Sequence, residues 1–371
     1  MFKKKKTRLQ IAQEKAQKAI NKTNEKIDEL GKYTSEIYTV LGDIQNVFDE
    51  IKNVPSEERL QYEELKKIRL NWKQQADKIE KDYKAAAVKN AGAGAAGAGV
   101  GVAVVALGPT AAMGVATTFG VASTGTAIAT LHGAAATNAA LAWLGGGALA
   151  AGGGGMAAGE AFLALAGPVG WAIAAVAIIS SGLMFWKNHE DKKRIEELFT
   201  DISNRDIKTY ELAVVELNER IKRIKEETIL LKNAIQEIKT FGLDYKKMTE
   251  QQQYALGSYV NLMMSSTQLL TNPILGLQPN YTEDDFDKFA RTFPNRIDKT
   301  HLKSTKMLLV SLCNLLYGIR MSDKDKKLLW KAFKGNKKLL KALKVKKKDF
   351  TLSMMYLILN ALDYKYKQKT K

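Results

Sequence analysis

Between Asn90 and Trp186 the chain runs 97 residues with one formal charge, Glu160, and that stretch holds 21 of the 28 glycines. Charged helices with a heptad-like rhythm stand on both sides of it. Lysine-rich helices suit water; an uncharged block of this length has to be covered by its own helices, by another subunit or by lipid.

The flanks read as long helices. Over 7–52, the positions Ile20, Thr23, Ile27, Leu30, Thr34, Ile37, Leu41, Ile44, Phe48 and Ile51 step by three and four residues, the mark of a coiled-coil seam. At ~1.5 Å per residue that helix is about 70 Å long. Asn53-Val54-Pro55 ends it, and Ser56 suits an N-cap followed by Glu57 and Glu58. A second helix to about Tyr83 or Ala87, with Leu65, Ile68, Trp72 and Ile79 on one face, completes an antiparallel hairpin. Beyond the block, helix resumes near Asn188. Ile207, Tyr210, Val214, Leu217, Ile221, Ile224, Thr228, Leu231, Ile235 and Ile238 keep the same spacing, and Gly242 is placed to stop the helix.

From about Lys246 the character changes. Helices are expected over Met248–Leu270, His301–Tyr317, Asp323–Val345 and Thr351–Tyr366, with a loop and one short helix over 273–300. No stretch shows sustained β alternation. The expected fold is all-α, with long coiled-coil-like helices flanking a Gly/Ala-rich hydrophobic helical insert and a basic C-terminal helical domain. The expected divisions are 1–89, 90–186, 187–245 and 246–371.

Inside the uncharged block, Gly108-Pro109 and Gly167-Pro168 should interrupt helices, because proline lacks the N–H donor and clashes with the preceding turn. The last piece, Val169–Trp186, is 18 residues without a charge and reaches the length of a membrane span. Trp171 and Trp186 lie near its ends, where interfacial aromatics belong. The earlier pieces are mostly Gly, Ala, Val and Thr. Gly97 and Gly101, then Gly114 and Gly120, give small-residue faces on which helix backbones can approach closely, in the manner of a glycine zipper. Each glycine costs about 1 kcal/mol relative to alanine in a helix interior. A chain carrying so many gains close packing, the capacity to rearrange, or both. Three readings stay open: a packed Ala/Gly core in a soluble bundle, a constitutive multi-pass membrane domain, and an insert shielded in the resting form and released to lipid on activation. Glu160 reads either as a loop or tip residue, or as a titratable group lining a pore or gating insertion.

The order of long helix, hydrophobic hairpin and long helix resembles the α-helical pore-forming toxins of the cytolysin-A and Hbl type. The run from Thr124 through His132, Trp143 and the glycines at 145–147 and 152–155 is similar to the Gly-rich membrane-insertion region of apolipoprotein-L-like proteins. This likeness spans 90–186 and the flanking helices. It implies oligomerisation and bilayer disruption from inside the producing cell, and with the composition it singles out Gly97, Gly101, Gly114, Gly120, Trp143, Glu160, Trp171 and Trp186 as membrane-insertion residues. The chain departs from the pattern in an insert longer than one toxin hairpin, in lacking an apolar signal after its basic tip, and in its C-terminal third.

The formal net charge of +18 is concentrated in that third and in the first ten residues, which favours anionic partners. Residues 324–348 hold twelve lysines and one aspartate, interleaved with Leu328, Leu329, Trp330, Phe333, Leu339, Leu340, Leu343 and Val345. Leu329, Phe333, Leu340 and Leu343 would share a helical face. Such a segment can bind an anionic membrane surface through Lys337, Lys338, Lys341 and Lys344, pack its aromatics into a small domain with Met354, Met355, Leu357 and Leu359, or track nucleic-acid phosphates. The dominance of lysine over arginine, with no recognition-helix pattern, argues against sequence-specific readout of nucleic acid.

His132, His189 and His301 are far apart, the single Cys313 excludes an intramolecular disulfide, and no CxxC, HExxH, EF-hand or phosphate-loop pattern is present. The chain reads as non-enzymatic and free of cofactors. It is expected in the cytoplasm, conditionally or permanently associated with the inner membrane, as a homo-oligomer on an anionic bilayer, with room for a protein partner on its coiled coil. A toxin-like or antiviral defence role suits that description; a soluble scaffold is the alternative.

Overall fold

A computed structural model describes residues 6–70, 188–272, 280–281, 283–292, 309–310, 312–336, 340 and 345–369. The described chain is all-α, without a sheet; its only β feature is one isolated bridge. The helices are α1 (Arg8–Glu50), α2 (56–70), α3 (His189–Ile238), α4 (Glu250–Thr271), α5 (Glu283–Thr292), α6 (Asp323–Gly335) and α7 (Leu352–Lys369). A helical turn over 312–316 lies between α5 and α6.

The two long helices follow the heptad seams. Thr7 starts α1 with a capping box: its hydroxyl accepts from the Gln10 N–H, and the Gln10 side chain accepts from the Thr7 N–H. Asn188 caps α3 by accepting from the Asp191 N–H. α1 and α3 run parallel and in register, as their ion pairs show: Lys225 meets Glu29 and Lys232 meets Glu36, one heptad on along both helices. Leu30, Ile37, Leu41, Ile44 and Phe48 of α1 pack in one core with Leu217, Ile221, Ile224, Leu231 and Ile235 of α3. The seam threonines Thr23, Thr34 and Thr228 are buried as well, and two of them bond back within the helix. Thr23 donates to the Ala19 carbonyl and Thr228 to that of Ile224.

At their C-terminal ends the long helices are locked to each other. The Lys52 N–H donates to the Leu243 carbonyl (2.9 Å), and the Tyr245 N–H donates to the Lys52 carbonyl (3.0 Å). Asn53, at positive φ, donates from its side chain to Asp244. Gly242, with φ of +83°, turns the chain out of α3 in a conformation that disfavours a side chain.

Two shorter helices fold back on this end. α2 is antiparallel to α1: Lys66 pairs with Asp49, and Arg69 donates to the Gln45 side chain. Its buried face is Tyr62, Leu65 and Arg69, while Ile68 is 40% exposed. The expected Leu65/Ile68 face is therefore rotated, with the Tyr62 ring tilted against Phe48, centroids 5.3 Å apart. Burial holds the Arg69 guanidinium down to about 10. α4 is antiparallel to α3 and bolted to it by polar contacts. Both oxygens of the Glu227 carboxylate accept hydroxyls, from Ser265 (2.8 Å) and Ser266 (2.6 Å). Tyr259 donates to Glu237, and burial with that carboxylate pushes its phenol up to about 12. Arg220 caps the end of α4 by donating to the Leu269 and Asn272 carbonyls.

Replacing Ile224, which is fully buried between α1 and α3, by alanine removes contacts on both long helices. Ile224→Ala is expected to cost about 2–5 kcal/mol, read as a lower denaturant midpoint with unchanged helical content. An exposed change such as Glu226→Ala should stay within about 0.5 kcal/mol.

Candidate functional site

A second core forms at the other end of α3. Ile195, Leu198, Phe199 and Ile202, from its first four turns, and Leu9 from the first turn of α1 pack with Tyr281, Phe286 and Phe289, with Leu312 and Leu316, with Leu328, Leu329 and Phe333 of α6, and with Met355 and Ile358 of α7. The described residues from Tyr281 on are thus built around the start of α3, the helix that follows the uncharged block, whereas α4, also placed by sequence in the domain 246–371, belongs to the core of the long helices.

Charged clamps reinforce this docking. Arg194 of α3 grips Asp325 of α6 with a fork of two bonds, Nε to Oδ1 (2.8 Å) and Nη2 to Oδ2 (2.9 Å), while Nη1 also reaches Glu197. Asp325 does two jobs. It is the third helical residue of the α6 capping box, accepting from the Ser322 N–H while Ser322 accepts from its own N–H. The Arg194 guanidinium, followed by these Ser322 bonds, holds the Asp325 carboxyl well below the usual carboxylate range. Lys324 pairs with Asp191 one turn earlier on α3. Three turns on, Arg205 donates from Nη1 to the carbonyls of Leu315 and Tyr317, capping the 312–316 turn, and from Nε and Nη2 to Asp206. Desolvation raises the buried Asp206 carboxyl despite that neighbour, and its second oxygen has no hydrogen-bond partner.

α6 ends at Gly335, where Asn336 is extended and donates its N–H to the Phe333 carbonyl. The uninterrupted helix expected over Asp323–Val345 is therefore broken at Gly335-Asn336, a pair poor in helix propensity. Of the three readings open for this segment, the described residues follow the packing of its aromatics into a small domain. Leu328, Leu329, Phe333 and Leu340 are buried in the domain core, Trp330 and Val345 pack against it, and the Trp330 indole N–H donates to the Phe350 carbonyl (3.1 Å). Met355 and Leu359 are buried beside them, with Met354 and Leu357 partly so. The apolar side of α6 thus faces protein, and lysines remain outside.

The residues assigned from sequence to membrane insertion, Gly97, Gly101, Gly114, Gly120, Trp143, Glu160, Trp171 and Trp186, lie outside the described residues, as do Lys337, Lys338, Lys341 and Lys344. Around them, α2 carries the chain to residue 70 at the level of Gln45, and α3 takes it up again from 188 beside α6. Among the described residues no helix is long and apolar enough to cross a membrane, and no cluster of His, Cys, Asp and Glu could hold a metal ion. Cys313 is fully buried and its thiol is pushed up by desolvation, the opposite of what a nucleophile needs. Sequence reasoning missed the Arg194 and Arg205 clamps. Ser322-x-x-Asp325 was a visible capping signal, but the Arg194 partner lies 131 residues away and leaves no local trace.

Comparison with protein-family models, with curated proteins and with solved structures returns no match to the chain.

The Arg194–Asp325 clamp has a pH signature. A depressed carboxyl contributes stability that is present above its unfolded value of about 3.9 and is lost as pH falls through the lower folded value. Asp325→Asn is expected to lower stability by about 1–3 kcal/mol at neutral pH and to flatten the loss of stability below pH ~4. Thermal melts at pH 7 and across the acid range check both expectations.

Proposed function

We propose that the protein is a non-enzymatic, membrane-permeabilising effector in which an α-helical scaffold carries residues 90–186 to a bilayer. The observation that carries the reading is the uncharged block itself, 97 residues with Glu160 as the one charge, set between helices built for water. Its last 18 residues have the length and aromatic ends of a span. The architecture supports it. The seams of α1 and α3 face one another, and the start of α3 is held by the C-terminal domain. A helix of 50 residues, about 75 Å long, therefore begins three residues after the block and runs through two packed cores.

In this reading the small residues at Gly97, Gly101, Gly114 and Gly120 let inserted helices approach closely, and Trp143, Trp171 and Trp186 anchor at the interface. Glu160 is paired, neutralised or solvated once the block enters lipid. Anionic lipid and further copies of the chain are the partners, the inner membrane approached from the cytoplasm is the site of action, and a toxin-like or antiviral defence role is the context that fits.

Purified protein is expected to release dye from anionic vesicles, and a variant lacking residues 97–183 should release none while keeping the melting transition of α1 and α3. Equal release from the deleted form would remove the block from the mechanism. No release from either form, with the intact protein recovered wholly in the supernatant, would favour a scaffold with a buried Ala/Gly core.

A further inference from the structure

The outer side of α6 is a lysine stripe. Lys324, Lys327, Lys331 and Lys334 recur at intervals of three, four and three residues, opposite the buried face of Asp325, Leu328, Leu329, Ala332 and Phe333. Lys327 and Lys331 are exposed, and Lys334 lies over the Trp330 ring at 4.7 Å, held outward on an aromatic support. A second group of cations joins it. Lys346, Lys347 and Lys348 are all exposed in a turn that ends at the fully buried Phe350. Phe350 is fixed to α6 twice, by its carbonyl accepting from Trp330 and by its ring against Phe333, so the turn is tethered beside the stripe. Of the nearby acids, Asp191 pairs with Lys324, Asp323 is engaged by Lys326, and Asp349 is exposed in the same turn as Lys347 and Lys348.

We propose that this composite face, the outward lysines of α6 with the 346–348 turn, is a docking surface for the anionic headgroups of a bilayer. The proposal rests on the membrane reading above and deepens it by placing the contact on residues other than those singled out from sequence. Three features select a lipid surface over nucleic acid. The cations are lysines on a convex helix, which suit many diffuse phosphates rather than one bidentate acceptor. Among the described residues of α6 the one tryptophan is engaged rather than offered to bases: the partly buried Trp330 packs against the core, carries Lys334 over its ring and spends its N–H on Phe350. The third is position: α6 is joined to the first turns of α3 by Lys324–Asp191 and Arg194–Asp325. Asp191 is five residues after Trp186, where the uncharged block ends. A headgroup layer bound to α6 therefore lies next to the point at which the block joins its scaffold. The clamps hold α6 to the first turns of α3, so a surface bound at the lysines is brought near the residues that follow the block.

The test uses the full chain and vesicles of phosphatidylcholine with or without phosphatidylserine, read by co-sedimentation and by dye release in parallel. Lys327→Glu/Lys331→Glu/Lys347→Glu should weaken binding to the anionic vesicles at least about tenfold, and higher salt should weaken the wild type in the same direction. Lys246→Glu/Lys247→Glu, exposed lysines at the far end of α3, should leave binding unchanged. The glutamine version of the triple variant guards against misfolding by charge reversal and should fall between wild type and the glutamate form, with an unaltered melt. Anionic-vesicle binding equal to wild type in the folded triple variant would overturn the proposal. So would tight binding of duplex DNA or single-stranded RNA that the triple variant abolishes while vesicles are ignored. Charge-dependent binding without dye release would keep the docking face and sink the permeabilising reading; dye release unaffected by the triple variant would do the reverse.

Discussion

The parallel seam between α1 and α3 is the constraint from which the other arrangements descend. Two helices separated by more than a hundred residues of sequence are held in register by Lys225–Glu29, by Lys232–Glu36 and by a continuous apolar contact from Leu30 to Ile51. The exposed ion pairs contribute little energy, so they fix register more than stability. Burial of the isoleucines and leucines along the seam supplies the driving force. Because the helices are parallel, their C-terminal ends coincide. The Lys52–Leu243–Tyr245 hydrogen bonds can then close the rod, and α2 and α4 both fold back from the closed end.

Parallel pairing also decides what happens at the opposite end. In the register set by Lys225–Glu29 and Lys232–Glu36 the first turns of α3 project beyond the start of α1, and Leu9 is too little to cover Ile195, Leu198, Phe199 and Ile202. The C-terminal domain covers them. Its acids and carbonyls take up the arginines of α3, Arg194 on Asp325 and Arg205 on Leu315 and Tyr317. The basic helical domain expected from the sequence is thereby docked on the scaffold, and the lysines of α6 are presented from a packed helix.

Periodicity carried the long helices. Thr23, Thr34 and Thr228 were legible as seam positions despite being polar, and the hydroxyls of Thr23 and Thr228 bond back to their own helix. The face of α2 was not legible, because the aromatic stack of Tyr62 on Phe48 depends on a partner helix. Nor was the break at Gly335-Asn336, since the apolar spacing of Leu329, Phe333 and Leu340 continues through it; all three reach one core from two segments of chain. Direction was invisible too. A heptad pattern does not state parallel or antiparallel, and the arginine clamps that fix the ends act over 110–131 residues. For the candidate site, the sequence displays composition, in the uncharged block and the lysine excess. The structure adds which lysines face outward and what holds them.

The central claim is that residues 90–186 are cargo for lipid and the described helices are the frame that carries it. Hydrogen exchange of the full chain, with and without anionic vesicles, addresses it most directly. The account predicts that vesicles slow exchange across 97–183 while protection along the α1–α3 seam stays as it was. Identical exchange across that block in both samples would contradict it.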